Sequence, residues 1–159
     1  MNFDVLIIGG GVSGMQCALV LGSALNKEYA KGKNIGIITH QRASHLQEAL
    51  FNNVLGLSPK TTGKSILKQG KEQLAELYPH INQIAQEKVL SVNHLNSKIK
   101  IVTNNNTYFS KIVVIALNYS KPFSIKGLDT FIEPHKRANP KKDRIQLKNK
   151  NHLIKEGLY

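Results

Sequence analysis

Gly9, Gly11 and Gly14 stand at the spacing Gly-x-Gly-x-x-Gly, within the run Gly9-Gly10-Gly11-Val12-Ser13-Gly14, and Ala18 follows one helical turn later. Glycines at these places permit what a side chain would prevent. The first allows a tight turn, the second lets the backbone approach a pyrophosphate, and the third lets a helix pack closely on a strand. Phosphate oxygens can then meet the free N–H groups at the positive end of the helix. Gly10, Val12 and Ser13 complete the candidate phosphate loop. Such spacing is a weak signal alone, but here it directly follows an apolar strand, opens a helix and lies near the start of the chain, which makes it specific.

The ribose of a dinucleotide is usually held by an acidic residue at the end of the second strand of such a unit. The corresponding residues, Ile37-Ile38-Thr39-His40-Gln41-Arg42, include no acid. Thr39, His40 and Gln41 are the remaining ribose candidates, each equally readable as loop surface. Arg42 keeps open a contact to a 2′-phosphate, and with it NADP. Cys17 is the single cysteine, so the chain holds no disulfide, CxxC pair or cysteine-based zinc site of its own. Inside an apolar helix it reads as a small buried side chain rather than a reactive thiol. His40, His45, His80, His94, His135 and His152 are scattered without metal-ligand spacing, and none is assigned a catalytic role.

The elements that must position these residues follow from periodicity. Residues 3–8 form a short apolar run, as in a parallel strand covered on both faces. Residues 13–25 are apolar on nearly every side and predict a buried helix, and 35–38 predict a second parallel strand, completing a βαβ unit. Residues 42–59 read as loop with a short helix. Thr62 is a candidate cap for a helix reaching Tyr78, with Ile66, Leu67, Leu74, Leu77 and Tyr78 on its buried side and Pro79 as its stop. Strands are predicted at 88–92, 98–103 and 107–109, with Asn104, Asn105 and Asn106 turning between the last two, as a small antiparallel meander. Residues 111–117, with Ile112-Val113-Val114-Ile115-Ala116, read as a separate central strand.

At 159 residues the chain suits one domain, which buries roughly 68–70% of its unfolded surface. No apolar run approaches the ~18 residues that span a bilayer, and the opening run is too short for a signal-peptide core. The expectation is a cytoplasmic protein with no membrane partner. A formal charge of +12 favours nucleotides and polyanions in a general electrostatic sense without indicating nucleic acid. Residues 136–150 concentrate seven Lys/Arg against Asp143 alone and read first as a solvated basic face.

Residues 3–18, the meander and the Ile112–Ala116 strand together resemble the FAD domain of thioredoxin reductase-like, pyridine nucleotide-disulfide family flavoproteins. In that family the central strand ends in Ala-Thr-Gly near the flavin, and the matching residues are Ala116-Leu117-Asn118. Asn52-Asn53-Val54-Leu55-Gly56 is similar to the family's Asn-x-Pro-Gly segment without the proline, and Val89 falls where the backbone meets adenine. Glu156-Gly157-Leu158-Tyr159 resembles the start of the final flavin strand, whose Gly-Asp continuation is not in the sequence. An incomplete flavin domain with weakened cofactor affinity is therefore expected. Between Leu117 and Gly157 there is no room for the family's inserted NAD(P)H domain with its second glycine motif and CxxC.

The resemblance implies a Rossmann-like α/β fold, a parallel sheet with helices and a small meander, spanning residues 1–159 as one domain. It implies FAD as cofactor and FAD-dependent oxidoreduction without an internal disulfide relay. The electron donor and acceptor, NAD(P)H or a partner protein, and homo-oligomerisation are left open. A small NAD(P)-binding dehydrogenase and a non-enzymatic nucleotide-binding or interaction module are the competing readings.

Overall fold

The computed structural model describes residues 1–40, 45–117, 125–128, 132–133 and 146–147. Gln41, Arg42, Asn118, the Lys and Arg residues of the stretch 136–150 and the segment resembling a final flavin strand lie outside the described residues. In chain order the elements are β1 (Asn2–Ile8), α1 (Val12–Ala24), β2 (Ile35–Thr39), a 3-10 turn (His45–Glu48), β3 (Leu50–Phe51) and β4 (Thr61–Thr62). They continue with α2 (Gly63–Leu77), β5 (Asn82–Ala85), β6 (Val89–Leu95), β7 (Lys98–Thr103), β8 (Thr107–Ile115), β9 (Ile132–Glu133) and β10 (Gln146–Leu147).

Six strands make one sheet in the order β5-β2-β1-β8-β7-β6. β5, β2, β1 and β8 run parallel, whereas β8, β7 and β6 form the antiparallel meander. Alternation along the strands sends side chains to two cores. On one face Ile7, Ile35 and Ile37 pack with Met15, Ala18 and Leu74 of the two helices. On the other, Leu6, Ile8, Ile38 and Val113 pack with Val92, Ile99, Ile101 and Tyr108 of the meander, together with Ile125 and Leu128. The parallel strands are thus covered on both faces, by helices on one and by the meander on the other.

Two strands expected to be separate are one. β8 runs unbroken from Thr107 to Ile115: Tyr108 pairs with Ile101 of β7, while Phe109 through Ile115 pair with β1. Ser110 and Lys111, where the two expected strands meet, are both accommodated within the strand. Ser110 is buried and its hydroxyl donates to the Ile112 carbonyl at 2.6 Å. Lys111 reaches outward to Asp4 of β1 at 2.7 Å. β5, in contrast, was not anticipated. Asn82-Gln83-Ile84-Ala85 has too little apolar character to announce a strand, yet it completes the parallel edge, where Asn82 donates to the Asn34 side chain at 2.9 Å.

The helices also differ from the expectation in how they are buried. α1 buries Gly14, Met15, Ala18 and Gly22 but leaves Val20 56% exposed, so only one stripe meets the sheet and α2. Cys17 accordingly is half-buried, and burial pushes its thiol pKa up from the ordinary 9.0, as for an inert rather than reactive thiol. α2 is capped by Thr62, whose side-chain oxygen accepts from the Ser65 N–H at 3.2 Å. Leu67 and Leu74 are buried and Ile66 is half-buried, but Leu77 is exposed. Tyr78, half-buried against Gly22, closes that end of the helix pair instead. No helix among the described residues is long and apolar enough to cross a membrane.

Candidate dinucleotide site

The site begins where β1 stops. The Gly9 N–H donates to the Ile38 carbonyl at 3.0 Å and the Ala116 N–H to the Ile8 carbonyl at 2.8 Å, so the turn is clasped between the ends of β2 and β8. Gly9 has φ +122°, and a Cβ there would collide with the Ala116 carbonyl. Only glycine suits that conformation and space. A Cβ on Gly14 would run into the Gly9 carbonyl, and one on Gly10 would come within 2.5 Å of the Thr39 methyl. These glycines are therefore filled in by the protein itself.

Gly11 differs from all three. Among the described residues, no atom beyond its chain neighbours lies within 4 Å of the position its Cβ would take. It is the N-cap of α1, and its carbonyl accepts the first helical bond, from Met15 at 2.9 Å. The N–H groups of Val12, Ser13 and Gly14 have no partner within the helix, as at any helix start. The first turn carries no acidic side chain, so the partial positive charge of the helix end is not offset by a carboxylate there.

Thr39 ends β2 half-buried, its methyl against Gly10 and its hydroxyl donating weakly to the Ile84 carbonyl at 3.4 Å. His40 is exposed at the same edge of the sheet. Ala116 is half-buried beside Gly9 and Gly14. Val89 has its side chain in the core between sheet and meander, opposite Thr103 in the ladder. Gly9–Gly14, Thr39, His40 and Ala116 thus gather at the carboxyl edge of β1, β2 and β8, while Val89 stands at the start of β6 in the meander. His80 packs edge-on against the Tyr78 ring. No group of three or more His, Cys, Asp or Glu placed to hold a metal occurs among the described residues.

A buried carboxylate next to this edge escaped the sequence reading. Glu87, between β5 and β6, is 6% exposed. It accepts from the Thr103 hydroxyl at 2.6 Å, the Asn106 amide at 2.6 Å and the Tyr108 hydroxyl at 2.9 Å. Burial would raise its pKa, but the three donors outweigh that and hold it below the ordinary 4.5. Next to it, the Lys88 N–H donates to the Asn104 side chain at 2.7 Å and the Lys88 carbonyl accepts from the Asn104 N–H at 3.0 Å. The Asn-rich turn, read only as a turn, is also the clamp that fixes the entry to β6.

A parallel βαβ unit with a glycine turn opening its helix, joined to a meander whose last strand becomes the central strand, defines a Rossmann-like α/β fold. Residues 3–155 match the family model described as pyridine nucleotide-disulphide oxidoreductase, and the chain belongs to that family. No curated protein matches the sequence. Among solved structures, the chain is similar to an oxidoreductase from Agrobacterium tumefaciens, at 23% identity and TM-score 0.60, covering 74% of this chain and 37% of that one. It is similar to the thioredoxin reductase of T. acidophilum, at 24% identity and TM-score 0.57, covering 72% and 34%. It is also similar to a ferredoxin-flavin thioredoxin reductase from Clostridium acetobutylicum, at 25% identity and TM-score 0.55, covering 82% and 42%. The chain therefore spans less than half the length of these proteins. The family consists of flavoproteins that bind FAD, and the expected α/β fold and cofactor stand on that membership.

Proposed function

We propose that this chain is the FAD-holding part of a thioredoxin reductase-like oxidoreductase and that the glycine turn is its pyrophosphate site. The observation that carries the reading is the contrast at Gly11, the one glycine of the motif whose Cβ direction is open while its neighbours are packed by protein. An open Cβ direction at a helix start lacking a carboxylate suits a diphosphate. Gly9, Gly10 and Gly14 shape the turn, and the N–H groups of Val12 and Ser13 serve as phosphate donors. Thr39, His40 and Gln41 would face the adenosine ribose, the backbone at Val89 the adenine, and Ala116 the flavin side.

FAD supplies the electron-accepting and electron-donating chemistry when bound, and the protein orients and shields it. Cys17 is half-buried and alone, so these residues provide no dithiol relay. The acceptor and donor lie outside the chain, and the naming of ferredoxin in the Clostridium relative supports a protein donor. We place the protein in the cytoplasm as one domain. The test is reconstitution with FAD followed by gel filtration, a visible spectrum and release on denaturation. Stoichiometric FAD release is expected. Tight NADP binding with no retained flavin would replace this reading with that of a dehydrogenase.

A further inference from the structure

Between Glu48 and Glu72 the sequence has four lysines, Lys60, Lys64, Lys68 and Lys71, and no acidic residue. Lys64, Lys68 and Lys71 recur at helical spacing along one flank of α2, and all four lysines are exposed. Among the described residues the stripe's one ion pair is the loose, solvent-exposed contact of Lys68 with Glu72 at 3.7 Å, which contributes little. The β3–β4 hairpin that leads into this helix holds Leu50 and Val54 exposed, and Leu55 completely so, among the exposed polar residues Asn52, Asn53, Ser58 and Lys60. Three large apolar side chains exposed within six residues suit a protein contact.

The fold places these residues beside the proposed cofactor edge. Met15 of α1 lies against Gly70 of α2, and Gly22 lies against Tyr78, so the two helices run in the same direction. The start of α2, and the hairpin before it, therefore stand at the carboxyl edge of the sheet, where α1 also starts at the glycine turn. Gly63 is pressed against the Leu46 carbonyl, which fixes the hairpin to that edge.

We infer that the hairpin tip and the α2 lysine stripe form a docking surface for an acidic electron-carrier protein. The inference rests on the flavin reading for its redox sense and on charge complementarity for its partner. Lysines without arginine forks, and with Phe51 as the only ring between Leu50 and Lys71, suit a carboxylate-rich protein surface better than nucleic acid, which favours Arg and stacking rings. Two dockings of a one-electron carrier balance the chemistry: two carriers are each oxidised by one electron, and those electrons with two solvent protons reduce one FAD.

The probe is an acidic plant-type [2Fe–2S] ferredoxin, with binding measured by calorimetry on the FAD-loaded and the FAD-free chain at low and high salt. Saturable binding that weakens with salt is expected. Lys64→Glu with Lys71→Glu should lower affinity at least tenfold, and Leu55→Ser about fivefold. Lys27→Glu with Lys31→Glu, an equal charge change beyond the far end of α1, should alter it less than twofold. Circular dichroism checks that each variant is folded, and Lys60→Glu substitutes if the helix pair disturbs α2. Absence of saturable binding, or equal weakening by the near and far charge pairs, overturns the inference. So does binding to phosphatidylserine vesicles, but not to ferredoxin, that depends on Leu55. Ferredoxin binding with the expected pattern in a chain that never takes up FAD leaves the docking surface standing and removes the flavin reading instead.

Discussion

The hydroxyl of Tyr108 donates to the carboxylate of Glu87 across 2.9 Å, joining the entry of β6 to the last strand of the meander inside the core. Burial and the neighbouring carboxylate together raise the Tyr108 pKa above 10.0, so the phenol remains a donor throughout the neutral range. Tyr108→Phe removes one of three donors and should cost about 1 kcal/mol, whereas Glu87→Gln sets an amide among donors and should cost about 1–3 kcal/mol. Urea denaturation of the two variants measures both, with the larger loss expected in the second.

Acid should reveal the same carboxylate. The pKa values of Glu87 and Asp4 are both lowered in the folded state, Asp4 chiefly by its hydrogen bond from Lys111 and then by the Asn34 N–H. A depressed carboxylate contributes stability that is complete above its unfolded pKa and is lost as pH falls through the folded one. Stability should therefore be flat in the neutral range and fall below about pH 4.5, the ordinary value for Glu. In Glu87→Gln the fall should be shallower. An unchanged acid slope in that variant would show that Glu87 is not held ionised.

The glycine motif divides into two kinds of position. Gly11→Val should leave stability within about 0.5 kcal/mol, as at a site without packing constraints, because its backbone is extended and its Cβ direction is open. It should nevertheless abolish FAD binding. Gly9→Ala should destabilise by about 1–3 kcal/mol, through its positive φ and the Ala116 carbonyl. Paired thermal melts and FAD titrations separate the two, and undiminished affinity in a folded Gly11→Val protein would remove the proposed site.

At the far end of α1, Gly22 is packed tightly enough that a Cβ would fall 2.7 Å from the Tyr78 ring. Gly22→Ala should cost about 1–3 kcal/mol by overpacking, despite the better helix propensity of alanine. Adding Tyr78→Ala should relieve that clash, so the two changes should be non-additive in denaturation experiments.

How legible these features were depends on the range over which their causes act. The strand, glycine turn and helix from Asn2 to Ala24 read directly, because an apolar run and its punctuation are neighbours in sequence, and the Thr62 cap announced α2 in the same way. β5 did not read, since a four-residue edge strand with two amides is held by pairing with β2 rather than by its own pattern. Leu77 misled because helical spacing marks a face without saying where the neighbouring helix ends. Within the site, the phosphate loop and the residues after β2 were legible as candidates. Glu87 was not, because its donors come from 16 to 21 residues away and a single acid beside a lysine looks like surface until the fold closes over it.

The double role of β8 has a consequence for the order in which the chain can assemble. Its first half pairs within hairpins of neighbouring sequence, which form fast, but its second half must capture β1, and the contact from Lys111 to Asp4 spans 107 residues. Closing so long a loop is slow relative to local pairing. During synthesis β1 emerges first yet has no partner on the β8 side until the meander has followed it out. For that interval its Leu6-Ile7-Ile8 run is an unpaired, aggregation-prone edge, and the nascent chain depends on α1 and β2 to shelter it.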